Sequence, residues 1–176
     1  CAEYGVRSIE HGTEIHPDTA RLIAKKGVFV VPTLSTMHVI STRGAELGLP
    51  AMSIEKIKGV FERTLESIKN CREAGVSLGF GSDLLGSDFH DLQGSEFQHR
   101  ALVERPVDIL RSATSVNAAI LQKQGELGCI KEGALADIIV LDFDPLSDLK
   151  PFDNAVNSIP FIMKDGQIIR NNLALS

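Results

Sequence analysis

Two residues that close short apolar runs have the chemistry to bind a metal and move a proton. His11 stands at the end of "SIEHG" (Ser8 to Gly12), and Asp83 at the end of "LGFGSD" (Leu78 to Asp83). An imidazole nitrogen and a carboxylate oxygen are donors that a catalytic zinc accepts while keeping a position open for water. A carboxylate beside that water can also remove its proton. Taken singly, each has a plainer reading. A histidine after a strand also serves as a loop or core residue, and Gly-Ser-Asp is equally a turn or cap in which aspartate accepts backbone N–H bonds. What decides between them is whether the surrounding elements carry both to one end of one sheet.

The elements alternate in the way that would do this. Val6 to Glu10 reads as a strand after Gly5. "HPDTARLIAKKG" carries helix punctuation: Pro17 at the first position, Asp18 near the positive end, Lys25 and Lys26 before Gly27. "VFVVPTL" is a dense β-branched and aromatic run suited to a parallel strand covered on both faces, with Pro32 near its end. Residues 35–50 read as an irregular loop or insertion on the active side. Ser53 is placed to cap a long helix whose apolar face is Ile54, Ile57, Phe61, Leu65, Ile68 and Cys71, stopped by Gly75. "VSLGFGSD" reads as a third strand, followed by helical segments in "SEFQHRALVE" and "PVDILRSATSVNAAILQ". Strand, helix, strand, helix, strand, helix predicts βαβ units and a parallel sheet, whose chemistry gathers at the carboxyl ends of the strands.

The tail changes character. Ala136 to Leu141 reads as a strand, and "SIPFIMKDGQIIRN" as a hairpin turning at Asp165-Gly166. A composition shift near residues 124–133 divides the chain into an α/β part, 1–124, and a small β part, 125–176.

Of the 176 residues, 43% are hydrophobic and 23% charged, and the net charge is −5 without a basic cluster, which excludes nucleic acid and membrane surfaces as expected partners. No apolar run approaches the roughly 20 residues of a membrane span. Cys1, Cys71 and Cys129 make no CxxC spacing, so buried thiols in a reducing compartment are expected, with a cytoplasmic location. A chain opening on Cys1 reads as the later part of something longer, in which an export signal would not be seen.

In order, "SIEHG", "VFVVPTL", "LGFGSD", "ILRSATSVNAAIL" and "GCIKEGALADIIVLDFDPL" resemble the carboxyl half of the metal-dependent amidohydrolases, most nearly the imidazolonepropionase and Xaa-Pro dipeptidase-like branch. The most specific element is LG-x-I-x-x-G-x-x-AD, from Leu127 to Asp137. The resemblance implies an α/β fold: part of a (β/α)8 TIM-like barrel, about strands six to eight with their helices, plus a portion of a small C-terminal β-sandwich. It implies that His11 is the histidine metal ligand on the sixth strand. Asp83 is then the aspartate on the eighth, which both binds metal and acts as general base and acid. A divalent metal is implied, zinc foremost, as one or two ions. His90, in "SDFH", resembles a histidine that some members carry after the eighth strand, where it could contact substrate; a solvated loop histidine is the alternative. His38, in the irregular stretch, is a second candidate for lining the substrate pocket, with a surface role as the alternative.

The expected activity of the complete protein is hydrolysis of a C–N bond in a small amide, dipeptide or cyclic amide, with metal-activated water as nucleophile and Asp83 relaying the proton. The chain lacks the family's H-x-H pair, its lysine and its fifth-strand histidine. It is therefore expected to be inactive alone and to need the missing N-terminal half of the barrel as its partner; a homo-oligomer also fits. Two rivals stand beside this reading. One is a catalytically incomplete fragment or split-enzyme chain. The other is an aminohydrolase acting on a nucleobase-like ring, which is disfavoured because "VVPTLST" lacks that branch's histidine and cysteine. His16 is read as capping or exposed, His99 as exposed on a helix, and Glu10 as pointing away from His11. Asp137 is expected to bond backbone at the entry to the β part. Asp142, Asp144 and Asp148 lack the glycine and terminal glutamate of a calcium loop.

Overall fold

The computed structural model describes residues 1–173. Its centre is a parallel sheet. Strand β1 (Ser8–Glu10) pairs in parallel with β2 (Phe29–Val31), Ile9 opposite Val30. Residues 76–82 join the other edge of β2 through a parallel bridge at Val30 and Leu78, with Val30 N–H donating to Ser77 O at 3.2 Å and Gly79 N–H to Val30 O at 2.8 Å. β2 is thus the middle of three parallel segments. The sheet stays open: the described residues form a mixed α/β arrangement and no closed barrel.

The third segment is less regular than expected, because Leu78 makes its single bridge and the chain beyond runs through Gly79 and Gly81. A side chain does the work of a neighbouring strand there. Asn117 Oδ1 accepts from Phe80 N–H at 2.9 Å and its Nδ2 donates to Phe80 O at 2.9 Å. Gly79 makes this approach possible, since a Cβ there would lie 2.5 Å from Ile120 Cδ1 and 3.0 Å from Asn117 Oδ1.

Helix α1 (Pro17–Lys25) connects β1 to β2 and buries Ala20 and Ile23. After β2 comes α2 (Leu34–Arg43), where the sequence suggested an irregular loop. Ser, Thr, His and Val are weak helix formers, so this helix is set from outside by a cap described below. The long helix expected from Ser53 is two helices, α3 (Ala51–Ile57) and α4 (Val60–Ala74), and Ser53 lies inside the first. They break at Gly59, whose φ of +77° is left-handed. The break turns Ile54 onto Gly44, where a Cβ would lie 2.9 Å from the Ile54 side chain. α4 then delivers Ile68 and Cys71 to a core shared with Ile23, Val28, Val30, Leu34 and Leu78.

Beyond the sheet come α5 (Ser95–Ala101) and one helical run: α6 (Pro106–Arg111), a π-turn over Ser112–Val116, and α7 (Asn117–Ile120). The tail forms an antiparallel sheet of β3 (Ile138–Val140), β4 (Phe161–Lys164) and β5 (Gln167–Asn171), with the short helix α8 (Ala155–Ser158) before β4. The β4–β5 hairpin turns at Asp165 and Gly166, with φ of 49° and 74°, the two left-handed residues of a type I′ turn. Asp137 closes its base, accepting from Asp165 N–H at 2.7 Å and Lys164 Nζ at 2.5 Å. A second core straddles position 124/125: Phe97 stacks on Phe152 at 3.9 Å, with Phe80, Ile109, Leu149 and Ile159 around them. The two parts of the chain share this core.

Candidate metal and proton-transfer site

Three segment ends meet at the carboxyl edge of the parallel sheet. His11 follows β1 directly and still donates its N–H to Val31 O at 2.9 Å, so its backbone remains in the ladder. Its φ is then +67°, and the chain reverses as Gly12 N–H bonds Glu10 O at 2.9 Å. Gly12 presses on β2, where a Cβ would lie 2.8 Å from Val30. Asp83 ends the third segment at φ +48°. Among the described residues the other non-glycine residues at positive φ are Gln122 and Asp165. Two of these four are the proposed ligands, each just past a parallel segment. Left-handed backbone outside glycine is uncommon and concentrates where geometry serves function.

His11 Nε2 and Asp83 Oδ2 stand 3.8 Å apart, their side chains 43% and 57% exposed, so both are open to a ligand from solvent. That separation is shorter than about 4.2 Å, the combined reach of one zinc–nitrogen and one zinc–oxygen bond. The pair can therefore grip one ion. The other ring nitrogen, Nδ1, lies 2.7 Å from Thr33 Oγ1. Thr33 is buried and sits where β2 ends. A hydroxyl in that place fixes the imidazole's plane and can accept the Nδ1 proton, leaving the Nε2 lone pair facing Asp83, as a metal-ligating histidine requires. These residues fit a divalent metal as two of its ligands. They do not complete a site: among the described residues no group of three or more His, Cys, Asp or Glu is arranged to hold a metal ion, and catalytic zinc takes three protein ligands.

His90 is brought to Asp83. Together with Ser82, Leu84 and Gln93 they line a cavity of about 200 Å³. His90 and Ser82 also border a larger one, about 710 Å³, walled by Phe80, Phe97, Ile139 and Phe152. His38 is placed elsewhere. It lies on α2, its ring 5.9 Å from Phe61 and 4.9 Å from His99, and borders cavities that share no residue with the one at Asp83. His99 is half-buried rather than exposed: burial, with His38 adding to it, lowers its pKa to about 4. His16 is exposed at the start of α1 and makes no side-chain cap. Glu10 accepts from the Ser8 hydroxyl at 2.5 Å.

Two residues around the site escaped the sequence reading, Thr33 and Glu96. Glu96, fully buried on α5, accepts from Leu34 N–H at 3.2 Å, from Ser35 N–H at 2.7 Å and from the Ser35 hydroxyl at 2.8 Å. Burial pushes its pKa up to about 7 against the pull of the Ser35 bonds and of Arg100. Thr33 had a signal in hindsight, a hydroxyl after the Pro that ends a strand. Glu96 had none, because nothing local distinguishes it from a solvated helical glutamate.

The architecture is a mixed α/β fold that places both ligand candidates at the carboxyl ends of parallel segments. Residues 1–170 match the model of the amidohydrolase family, and the chain belongs to that family. It is similar to a prolidase solved in complex with N-methylphosphonate-L-proline (41% identity, TM-score 0.91, covering 96% of this chain and 41% of the prolidase). It is also similar to a Xaa-Pro dipeptidase with methionine bound in its active site (26% identity, TM-score 0.82, 97% and 41%). The ochratoxinase of Aspergillus niger is 27% identical over 173 residues, 94% of this chain and 34% of its own length. The chain thus spans about a third of the curated relative's length and about two-fifths of each of these two solved structures.

Proposed function

We propose that, in the whole protein, this chain supplies two metal ligands and the proton carrier for hydrolysis of a peptide-like C–N bond. The observation that carries it is the approach of His11 Nε2 to Asp83 Oδ2 at 3.8 Å, with Nδ1 held by Thr33. A divalent cation bound there, zinc foremost, would supply Lewis-acid polarisation of the carbonyl and a lowered pKa for water. The Asp83 carboxylate takes the proton of the attacking water and returns it to the leaving amine, as its position at the open end of the sheet allows. His90, across the small cavity from Asp83, contacts the substrate. The similarity to enzymes named as prolidase and Xaa-Pro dipeptidase supports a dipeptide or N-acyl amino acid as substrate. Asp83→Asn in the whole protein, assayed on a panel of Xaa-Pro dipeptides and N-acyl amino acids, should lower kcat by about 10²–10⁴-fold, the usual worth of a positioned acid–base. Unchanged turnover would remove the assignment.

The two-ligand count favours a second, compatible reading: by itself this chain is inactive, and its metal is completed by ligands from the rest of the protein. Zinc titration of the 176-residue chain decides this. Tight stoichiometric binding would contradict it.

A further inference from the structure

The start of α2 is capped in an unusual way, and the arrangement points back to His11. Thr33 occupies the position before the helix from which a threonine hydroxyl ordinarily accepts the bond of an unpaired first-turn amide. It makes no such bond, because its Oγ1 lies 2.7 Å from His11 Nδ1. The amides it leaves are satisfied from elsewhere. Glu96 takes Leu34 N–H and Ser35 N–H through its two carboxylate oxygens. Thr36 N–H donates to Ser82 O at 3.2 Å, which ties the same helical turn to the residue before Asp83. Both proposed ligands are therefore registered on one turn of α2, His11 through Thr33 and Asp83 through Ser82.

We infer that Glu96 is a positioning residue for this site: by capping α2 from α5 it releases the Thr33 hydroxyl to orient the His11 imidazole. This inference rests on the proposed role of His11 but is tested without metal or turnover. Glu96 touches neither ligand and acts through Leu34, Ser35 and Thr33. Its own place is fixed by burial and by the Ser35 hydroxyl, which accompanies the Ser35 amide onto the same oxygen. Without Glu96 the two amides would be buried donors lacking an acceptor, and the cap position offers the Thr33 hydroxyl as a replacement for one of them. The hydroxyl would then turn to the helix and leave Nδ1.

The experiment is ¹⁵N–¹H long-range correlation NMR on the His-labelled 176-residue chain, reading the tautomer of His11 in wild type, Thr33→Val, Glu96→Ala and the double variant. Wild type should favour Nδ1–H. Thr33→Val should move the tautomer ratio towards Nε2–H by about fivefold, the equivalent of one ordinary hydrogen bond of about 1 kcal/mol. Glu96→Ala should move it in the same direction by a similar factor, and the double variant should add nothing further. Should Glu96→Ala fail to fold, Glu96→Gln keeps one carbonyl acceptor and turns an NH₂ towards the second amide, so the same shift is expected at smaller amplitude. A His11 tautomer that responds to Thr33→Val but to neither Glu96 variant overturns the inference, as does an additive double variant. A His11 insensitive to Thr33→Val overturns it at its first link. The proposed function fails separately. If Asp83→Asn leaves turnover intact while the His11 tautomer follows Glu96, the positioning stands and the chemistry assigned to the pair does not.

Discussion

Removing the guanidinium of Arg100 tests whether the third parallel segment, and with it Asp83, is held by buried charge. Arg100 is fully buried. Its Nη1 donates to Gly79 O at 2.9 Å, its Nε pairs with Glu104, whose side chain is also without solvent contact, and Arg72 reaches Glu104 from the other side at 2.6 Å. With Glu96 nearby, the cluster contains two carboxylates and two guanidinia. Arg100→Met leaves a buried carboxylate with one partner instead of two and the Gly79 carbonyl without a donor. Breaking one member of a buried pair costs about 3–5 kcal/mol, and the surviving Arg72 contact argues for the middle of that range, about 4 kcal/mol. Arg100→Met/Glu104→Leu removes both charges. Apolar replacement of a whole pair is close to neutral, so the double variant should recover all but about 2 kcal/mol, the cost of the unpaired Gly79 carbonyl. Urea unfolding followed by circular dichroism measures both, with unchanged slope showing that the folded state is comparable. A double variant as unstable as the sum of the two singles would mean that the charges are not coupled, and the account of how the third segment is held would fail. Native amide exchange gives a spatial check: faster exchange at Gly79 and Phe80 in Arg100→Met, with β1 unchanged.

Three further outcomes are expected. His99, with a folded pKa of about 4 against an ordinary 6.5, makes stability fall as pH drops from 6.5 towards 4, because the unfolded chain binds the proton and the folded one does not. Glu96, at about 7 against 4.5, has the opposite sign, with stability rising as pH drops from 7 towards 4.5. The two offset over most of that window, so His99→Phe should expose a protein that gains stability on acidification, by up to about 3 kcal/mol; a flat urea profile in that variant would contradict the Glu96 environment. Gly94→Ala would put a Cβ 2.0 Å from Phe152 O, a backbone atom that cannot yield, and should lower Tm by roughly 10 °C in a thermal melt; an unchanged Tm would refute that contact. Of the three cysteines, Cys1 and Cys129 are exposed while burial pushes the Cys71 thiol up to about 11, so a thiol reagent should label two in the native protein and the third on unfolding.

Local patterns read well wherever a local cause acts. The Pro17 and Asp18 start of α1, the parallel β2 run and the Asp165-Gly166 turn all follow from propensity and backbone geometry within a few residues. They fail where the cause is distant. α2 has a sequence that reads as a loop, and it is helical because a carboxylate 61 residues further on caps it. The apolar face of residues 54–71 is continuous in period but broken in space, because Gly59 lets α3 turn back onto Gly44. The Phe80 backbone finds its partner in the side chain of Asn117, a residue that in sequence is one more helical polar position.

For the site, periodicity could say that His11 and Asp83 end strands but not that their side chains meet. Alternation along β1 places His11 opposite Glu10, and a regular continuation would have left its direction to the next residue's twist. Instead the backbone turns left-handed at His11 and again at Asp83, which aims both side chains over the mouth of the sheet. Gly12 was the one local hint of that turn, since only glycine fits against Val30 there. The rest of the geometry belongs to α2. Its first turn receives Glu96 from one side and Ser82 from the other, and holds Thr33 at the imidazole. A helix that the sequence concealed therefore touches both candidate ligands that the sequence displayed, His11 through Thr33 and Asp83 through Ser82. The 3.8 Å between His11 Nε2 and Asp83 Oδ2, more than the identity of either residue, is what makes the pair a candidate for one shared ion rather than two ordinary strand-end side chains.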